Sequence, residues 1–174
     1  LGPARGLASA GLVAALAVVL SGPAEGTLGG TVVGGPYSQF LQAAILLIAL
    51  LAVWLASARL GEDGVQPHEF FTLVLFSVVG MLGLATAAEA ISLFVALEIM
   101  SVALYALAGM DRARLESQES ALKYFVTGAF SSAFFLYGVA LVYGGSGSTN
   151  FSRIVAAFDG TIQLDRTNDA LVLA

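Results

Sequence analysis

Glu98 and Lys123 are the two ionisable residues that the sequence places inside long apolar runs rather than between them. Glu98 lies in the run Ile91 to Met110, twelve residues from its Met110 end, close to the middle of a bilayer. Lys123 lies about one helical turn into the run Ser120 to Tyr143. A charge near the bilayer centre costs at least about 2.5–3.5 kcal/mol, so such residues are kept for pairing, hydration or proton exchange. Burial disfavours the ionised form of Glu98 and a neighbouring cation favours it. A carboxylate under both influences can take up and release a proton.

Hydroxyls accompany both residues. Ser101 and Tyr105 follow Glu98 at i+3 and i+7, on the same helix face, where they can hold water. Thr127 and Ser131 follow Lys123 at i+4 and i+8, a polar stripe expected to point inward. Plainer readings exist for each. Glu98 can be a neutral or paired residue that only joins helices, the Lys123 stem can snorkel to the interface, and intramembrane hydroxyls often do no more than bond helices together. A direct Glu98–Lys123 bridge is not expected, because their depths differ by about 12 Å at 1.5 Å per residue. The cationic partner of Glu98 is expected elsewhere.

Other chemistry finds little support. The sequence has no cysteine and one histidine, His68 beside Pro67, which excludes thiolate chemistry and leaves no set of metal ligands. Gly144-Gly145-Ser146-Gly147-Ser148-Thr149 lacks the lysine of a phosphate-binding loop and reads as a flexible turn. Gly80, Gly83, Ala87, Gly128 and Ser132 are small residues that let helices approach closely. Phe130, Phe134, Phe135, Tyr137 and Tyr143 read as lipid-facing or interfacial bulk.

The elements that carry these residues follow from composition. Of 174 residues 58% are hydrophobic and 11% charged, with a mean hydropathy of +0.90, against about 25% charge in soluble domains. Too few polar residues remain to coat a soluble core, and a net charge of -5 excludes nucleic acid as a partner. The fold class is an all-α polytopic membrane protein in contact with the lipid bilayer. A span needs roughly 20 apolar residues, and five stretches meet or approach this. The first falls within residues 1–21, from about Gly6 to Ser21, and a signal peptide is its rival reading. The others run over Ser38 to Leu60, Phe70 to Ala88, Ile91 to Met110 and Ser120 to Tyr143. An external loop follows over residues 144–169, with a short interfacial helix predicted from Phe151, Ile154, Val155 and Phe158 and an Asn150 cap. Residues 170–174 read as the start of a further, truncated span, and the absence of an initiator Met suggests an interior piece of a longer protein.

Alternating the spans puts Arg5, Arg59, Arg112 and Arg114 at one face. The short loops of the other face, near Glu25 and Glu89, have no Arg or Lys; Arg153 and Arg166 fall in its one long loop. The positive-inside rule assigns the first face, with the loops near Arg59 and Arg112/Arg114, to the cytoplasm.

The stretch Glu69 to Arg153 resembles a known family. Its signature lies in Val95-Ala96-Leu97-Glu98-Ile99-Met100-Ser101 with Leu104-Tyr105-Ala106-Leu107-Ala108-Gly109, then Glu119-Ser120-Ala121-Leu122-Lys123-Tyr124-Phe125, then Gly128 to Ile154. Together these blocks resemble the subunit N (subunit 2) family of proton-pumping NADH:quinone oxidoreductase, respiratory complex I, one of the antiporter-like proteins shared with Mrp-type sodium/proton antiporters. Residues 1–68 match in hydropathy alone. The resemblance implies that the five spans belong to a larger antiporter-like helical bundle of fourteen helices with two inverted repeats. It implies that Glu98 and Lys123 lie on a proton path in a bacterial inner membrane, and that Glu98 couples to a lysine on a later, broken helix. It implies a translocase subunit with no redox centre or cofactor of its own: NADH, FMN, iron–sulfur clusters and quinone belong to partner subunits. The partners implied are other membrane-arm subunits, especially neighbouring antiporter-like ones. Val102 and Ala103 stand where many members have proline, which removes an expected kink. A cation/proton antiporter or membrane-bound hydrogenase subunit is the nearest alternative, and a structural membrane scaffold is an alternative of another class.

Overall fold

The computed structural model describes residues 2–22, 25–58, 60 and 66–159. Six helices and one hairpin make up its regular structure: α1 Gly2–Ser21, β1 Gly26–Leu28, β2 Val32–Gly34, α2 Pro36–Ser57, α3 Pro67–Thr86, α4 Ala90–Ala108, α5 Leu115–Ser146 and α6 Phe151–Phe158. Helices α1 to α5 are each long and apolar enough to cross a membrane. The chain is therefore an α-helical integral membrane protein.

Local sequence explains where the helices start. Proline opens α2 and α3, where its missing N–H would have had no helical partner. Ser38 reaches back to accept from the Gly35 N–H at 2.8 Å, closing the first turn of α2. The Asn150 side chain caps α6 by accepting from the N–H groups of Ser152 and Arg153. This short helix occupies the stretch where the Phe151, Ile154, Val155 and Phe158 spacing predicts one.

Helix α5 is the element that departs most from expectation. It extends past Ser120 and Tyr143 at both ends. Lys123 therefore lies about two turns from the first residue, Leu115, instead of one. At the other end Gly144 to Ser146 continue the helix, and Gly147 closes it at φ +66 with its N–H on the Tyr143 carbonyl. The glycine–serine run is thus a helix end followed by a hydrogen-bonded reversal, not a loose turn. Arg59, Arg166, residues 160–169 of the expected external loop, and residues 170–174 lie outside the described residues.

The core joins α1, α2 and α3 through Ala8, Leu12, Leu46, Ala49, Val53, Phe71 and Val78. Helix α4 lies against α3 with almost no space between backbones. A Cβ at Gly80 would come 2.5 Å from the Met100 nitrogen, and one at Gly83 would come 2.9 Å from the Ala96 Cβ. These glycines play the close-approach role that their size predicts.

The two ends of the bundle differ in kind. At one end the Arg5 guanidinium bonds the Ser57 hydroxyl and lies over the Trp54 ring, while Arg112 pairs with Glu69 at 3.7 Å. Among the described residues, charged side chains and the basic α4–α5 loop mark this arginine end. At the other end three chain reversals are knitted by backbone. The β1–β2 hairpin turns at Gly29 and Gly30, both at positive φ. Its Val32 pairs with Ala87 in the α3–α4 turn, and Glu89 of that turn pairs with Asn150 after α5. The sequence reading missed this hairpin, although Gly29-Gly30 between Leu28 and Val32-Val33 has a hairpin's composition.

Candidate functional site: the Glu98–Ser132 seam

Helices α4 and α5 run antiparallel, and one register holds along their length. Gly109 faces Ala121, Tyr105 faces Phe125 and Phe94 faces Phe135. In that register Glu98 meets Ser132, whose hydroxyl donates to the Glu98 Oε1 atom. The pair is partly buried at mid-helix.

On its other side Glu98 lines a groove of about 510 Å³ between α3 and α4. The remaining walls, Leu73, Phe76, Val79, Ile99, Val102 and Ala103, are apolar. Glu98 thus has a hydroxyl donor at its carboxylate and an apolar groove along its helix. This arrangement can hold the anion through Ser132 and, when the acid is protonated, let the acid's own O–H donate to the serine oxygen. Ser132 can then turn its proton to the carbonyl four residues back, as helical serines do. The site can exchange a proton without any side chain losing its partner.

The other predicted residues distribute around this pair. Tyr105 rests edge-on against Tyr124, with centroids 4.8 Å apart. Its hydroxyl lies over Gly128, where a Cβ would overlap it. Gly128 precedes Ser132 by one turn, so the Tyr105 hydroxyl belongs to the same seam. Ser101 is buried. Among the described residues, no hydrogen bond links Ser101 or Tyr105 to Glu98.

Lys123 is elsewhere. Its Nζ pairs with Glu119 Oε1 at 2.5 Å, one turn earlier on the same helix. Thr127 and Ser131 are exposed, and the Ser131 hydroxyl donates to the Thr127 carbonyl. The stripe expected to point inward faces away from the other described helices. The reason is geometric: α4 takes the α5 face bearing Ala121, Gly128, Ser132 and Phe135, and at 100° per residue the Lys123 stripe lies to one side of it. As depth predicts, Glu98 and Lys123 do not pair, and among the described residues no cation bridges Glu98.

Ser132 is the residue that sequence reasoning misplaced, by counting it only as a small packing residue. A signal was present. Ser132 is as far from Ser120 as Glu98 is from Met110, so an antiparallel pair of the expected spans sets them at one depth.

Five apolar helices with a carboxylate–hydroxyl pair at mid-bundle define a polytopic membrane protein with an ionisable site inside its spans. The family model described as NADH:quinone oxidoreductase/Mrp antiporter, TM, matches residues 87–173, and the chain belongs to this family. It is 39% identical over 151 residues to the NADH-quinone oxidoreductase subunit N of Chloroflexus aggregans, a match covering 87% of this chain and 30% of that protein. Among solved structures, one of respiratory complex I from Thermus thermophilus with bound aureothin contains a similar chain. That chain is 34% identical with a TM-score of 0.72, over 98% of this chain and 37% of its own length. A chain of the membrane-bound sulfane sulfur reductase, an archaeal respiratory membrane complex, shares the fold at 23% identity and a TM-score of 0.73, over 97% of this chain and 35% of that one. The chain spans about a third of the length of these relatives.

Proposed function

We propose that this chain is part of a proton-translocating membrane-arm subunit of an NADH:quinone oxidoreductase, with Glu98 as a protonatable group on its path. The observation that carries the reading is the Glu98–Ser132 pair. It sets an acid at mid-span beside a hydroxyl that can both donate and accept. Likeness to relatives named subunit N supports the choice of machine. NADH, FMN, iron–sulfur clusters and quinone are then bound by partner subunits, and neighbouring antiporter-like subunits are the expected contacts of the exposed apolar faces. The arginine end, with its basic loops, faces the bacterial cytoplasm.

Lys123 acts at a distance in this reading. It is nine residues from Ser132, about 13 Å along α5. Lys123 reaches the pair in this reading only by exchanging its ammonium between Glu119 and another acceptor along the seam. The fold shared with the archaeal sulfane sulfur reductase favours a second reading, the same proton-handling unit in another machine of the family, such as a cation/proton antiporter or a hydrogenase.

Glu98→Gln in the complete assembled complex tests the proposal. Proton-coupled turnover is expected to fall by about 10²-fold, the loss typical of a missing acid–base group, with assembly intact. An unchanged number of protons pumped per electron removes Glu98 from the path, and failure to assemble points to a scaffold role.

A further inference from the structure

We propose that Glu89 is a positioning residue for the Glu98–Ser132 pair, holding α5 in register on α4 from the hairpin end. The inference rests on the reading of Glu98 above. Among the described residues none of the apolar window of α5 is buried, and the buried residues of this helix are Gly145 and Ser146, at its extreme end. Polar contacts mark the seam instead. At the arginine end the Ser117 hydroxyl donates to the Ala108 carbonyl at 2.7 Å. At mid-helix Ser132 meets Glu98. At the hairpin end the Glu89 carboxylate accepts from Thr149 Oγ1 at 3.3 Å and from Ser92 Oγ at 3.0 Å.

The backbone around Glu89 makes the contact a clasp. The Ala90 N–H donates to the Thr149 carbonyl at 2.8 Å, and the Phe151 N–H donates to Ala88 at 3.1 Å. The link from this clasp to Ser132 is well braced. After α5 ends at Gly147, the Ser146 hydroxyl accepts from the Ser148 N–H, and the Ser148 hydroxyl accepts from the Asn150 N–H. Uninterrupted α4 connects Glu89 to Glu98 on the other side. Both arms transmit a displacement, and a slip of one residue moves α5 by about 1.5 Å, more than an O–H···O bond tolerates. Thr149 and Glu89 thereby set whether Ser132 reaches Glu98.

Two measurements on the complete complex test this. The first is a double-mutant cycle on proton-coupled turnover. Glu89→Ala is expected to reduce turnover by about two- to tenfold, as loss of the Ser132 bond does. Glu89→Gln, which keeps an acceptor oxygen, should restore most of it. Because both changes act on one contact, Glu89→Ala with Ser132→Ala should be no worse than Ser132→Ala alone. Multiplying effects overturn the proposal. The second is register itself, read by joining Phe94→Cys and Phe135→Cys with a short bifunctional thiol reagent, the yield being taken against the same complex without these two substitutions. Glu89→Ala should lower the cross-linking yield, and an unchanged yield overturns the positioning role. Lowered cross-linking with unchanged pumping overturns the reading of Glu98 while leaving the clasp in place.

Discussion

Among the described residues helix α4 packs against α3 and α5, and it meets them in opposite ways. Against α3 its backbone is in contact: Gly80 and Gly83 leave no space for a methyl group between the helices. Against α5 it makes side-chain contacts, with aromatic rings, one glycine notch for Tyr105 and hydrogen bonds at both ends and the middle. The first seam fixes α4 by close packing, which cannot deform gradually. The second is held by groups that can exchange donor and acceptor roles. Glu98 thus sits on a helix fixed by close packing along one seam and meets an adaptable partner across the other.

That contrast can be broken on either side. Gly80→Val should have the largest effect, because the added Cβ meets backbone at 2.5 Å with nothing able to yield. A loss of more than about 3 kcal/mol, at the upper end of overpacking costs, is expected as failure of the subunit to assemble. Native-gel analysis of the membranes would show it. Gly128→Ala on the other seam should be milder, about 1–3 kcal/mol, because what it meets is the movable hydroxyl end of Tyr105. Tyr105→Phe should restore part of the lost thermal stability; if it does not, the notch is not what fits the two helices together. Lys123→Ala should leave stability within about 0.5 kcal/mol, as for other exposed i,i+4 pairs, yet lower proton-coupled turnover several-fold. Turnover equal to the parent would reduce Lys123 to a snorkelling side chain.

The individual residues of the α4–α5 seam are legible in the sequence, and their pairing is not. Glu98 was identified because a carboxylate in an apolar run has no cheap explanation, and the capped helix at Asn150 because its signals are local. Tyr105 and Gly128 each stand out by type, though nothing in sequence joins them. The stripe of Thr127 and Ser131 was legible as a stripe but not in its direction, since periodicity gives the faces of a helix without saying which neighbour takes each one. The run Gly144 to Thr149 was misread because glycine and serine signal turns equally well when free and when hydrogen-bonded to a neighbouring turn.

The sequence by itself determined that five helices are long and apolar enough to span a membrane, and that one acid lies deep among them. Helical hydrogen bonds close within a few residues, and apolar length alone sets the match to a bilayer. Only the tertiary structure decided that Ser132 is the partner of Glu98, that the Lys123 stripe turns away from α4, and that Glu89 joins Thr149 across sixty residues. Those outcomes depend on the rotation and register of one helix against another. Both are set by contacts between residues that no local hydrogen bond connects.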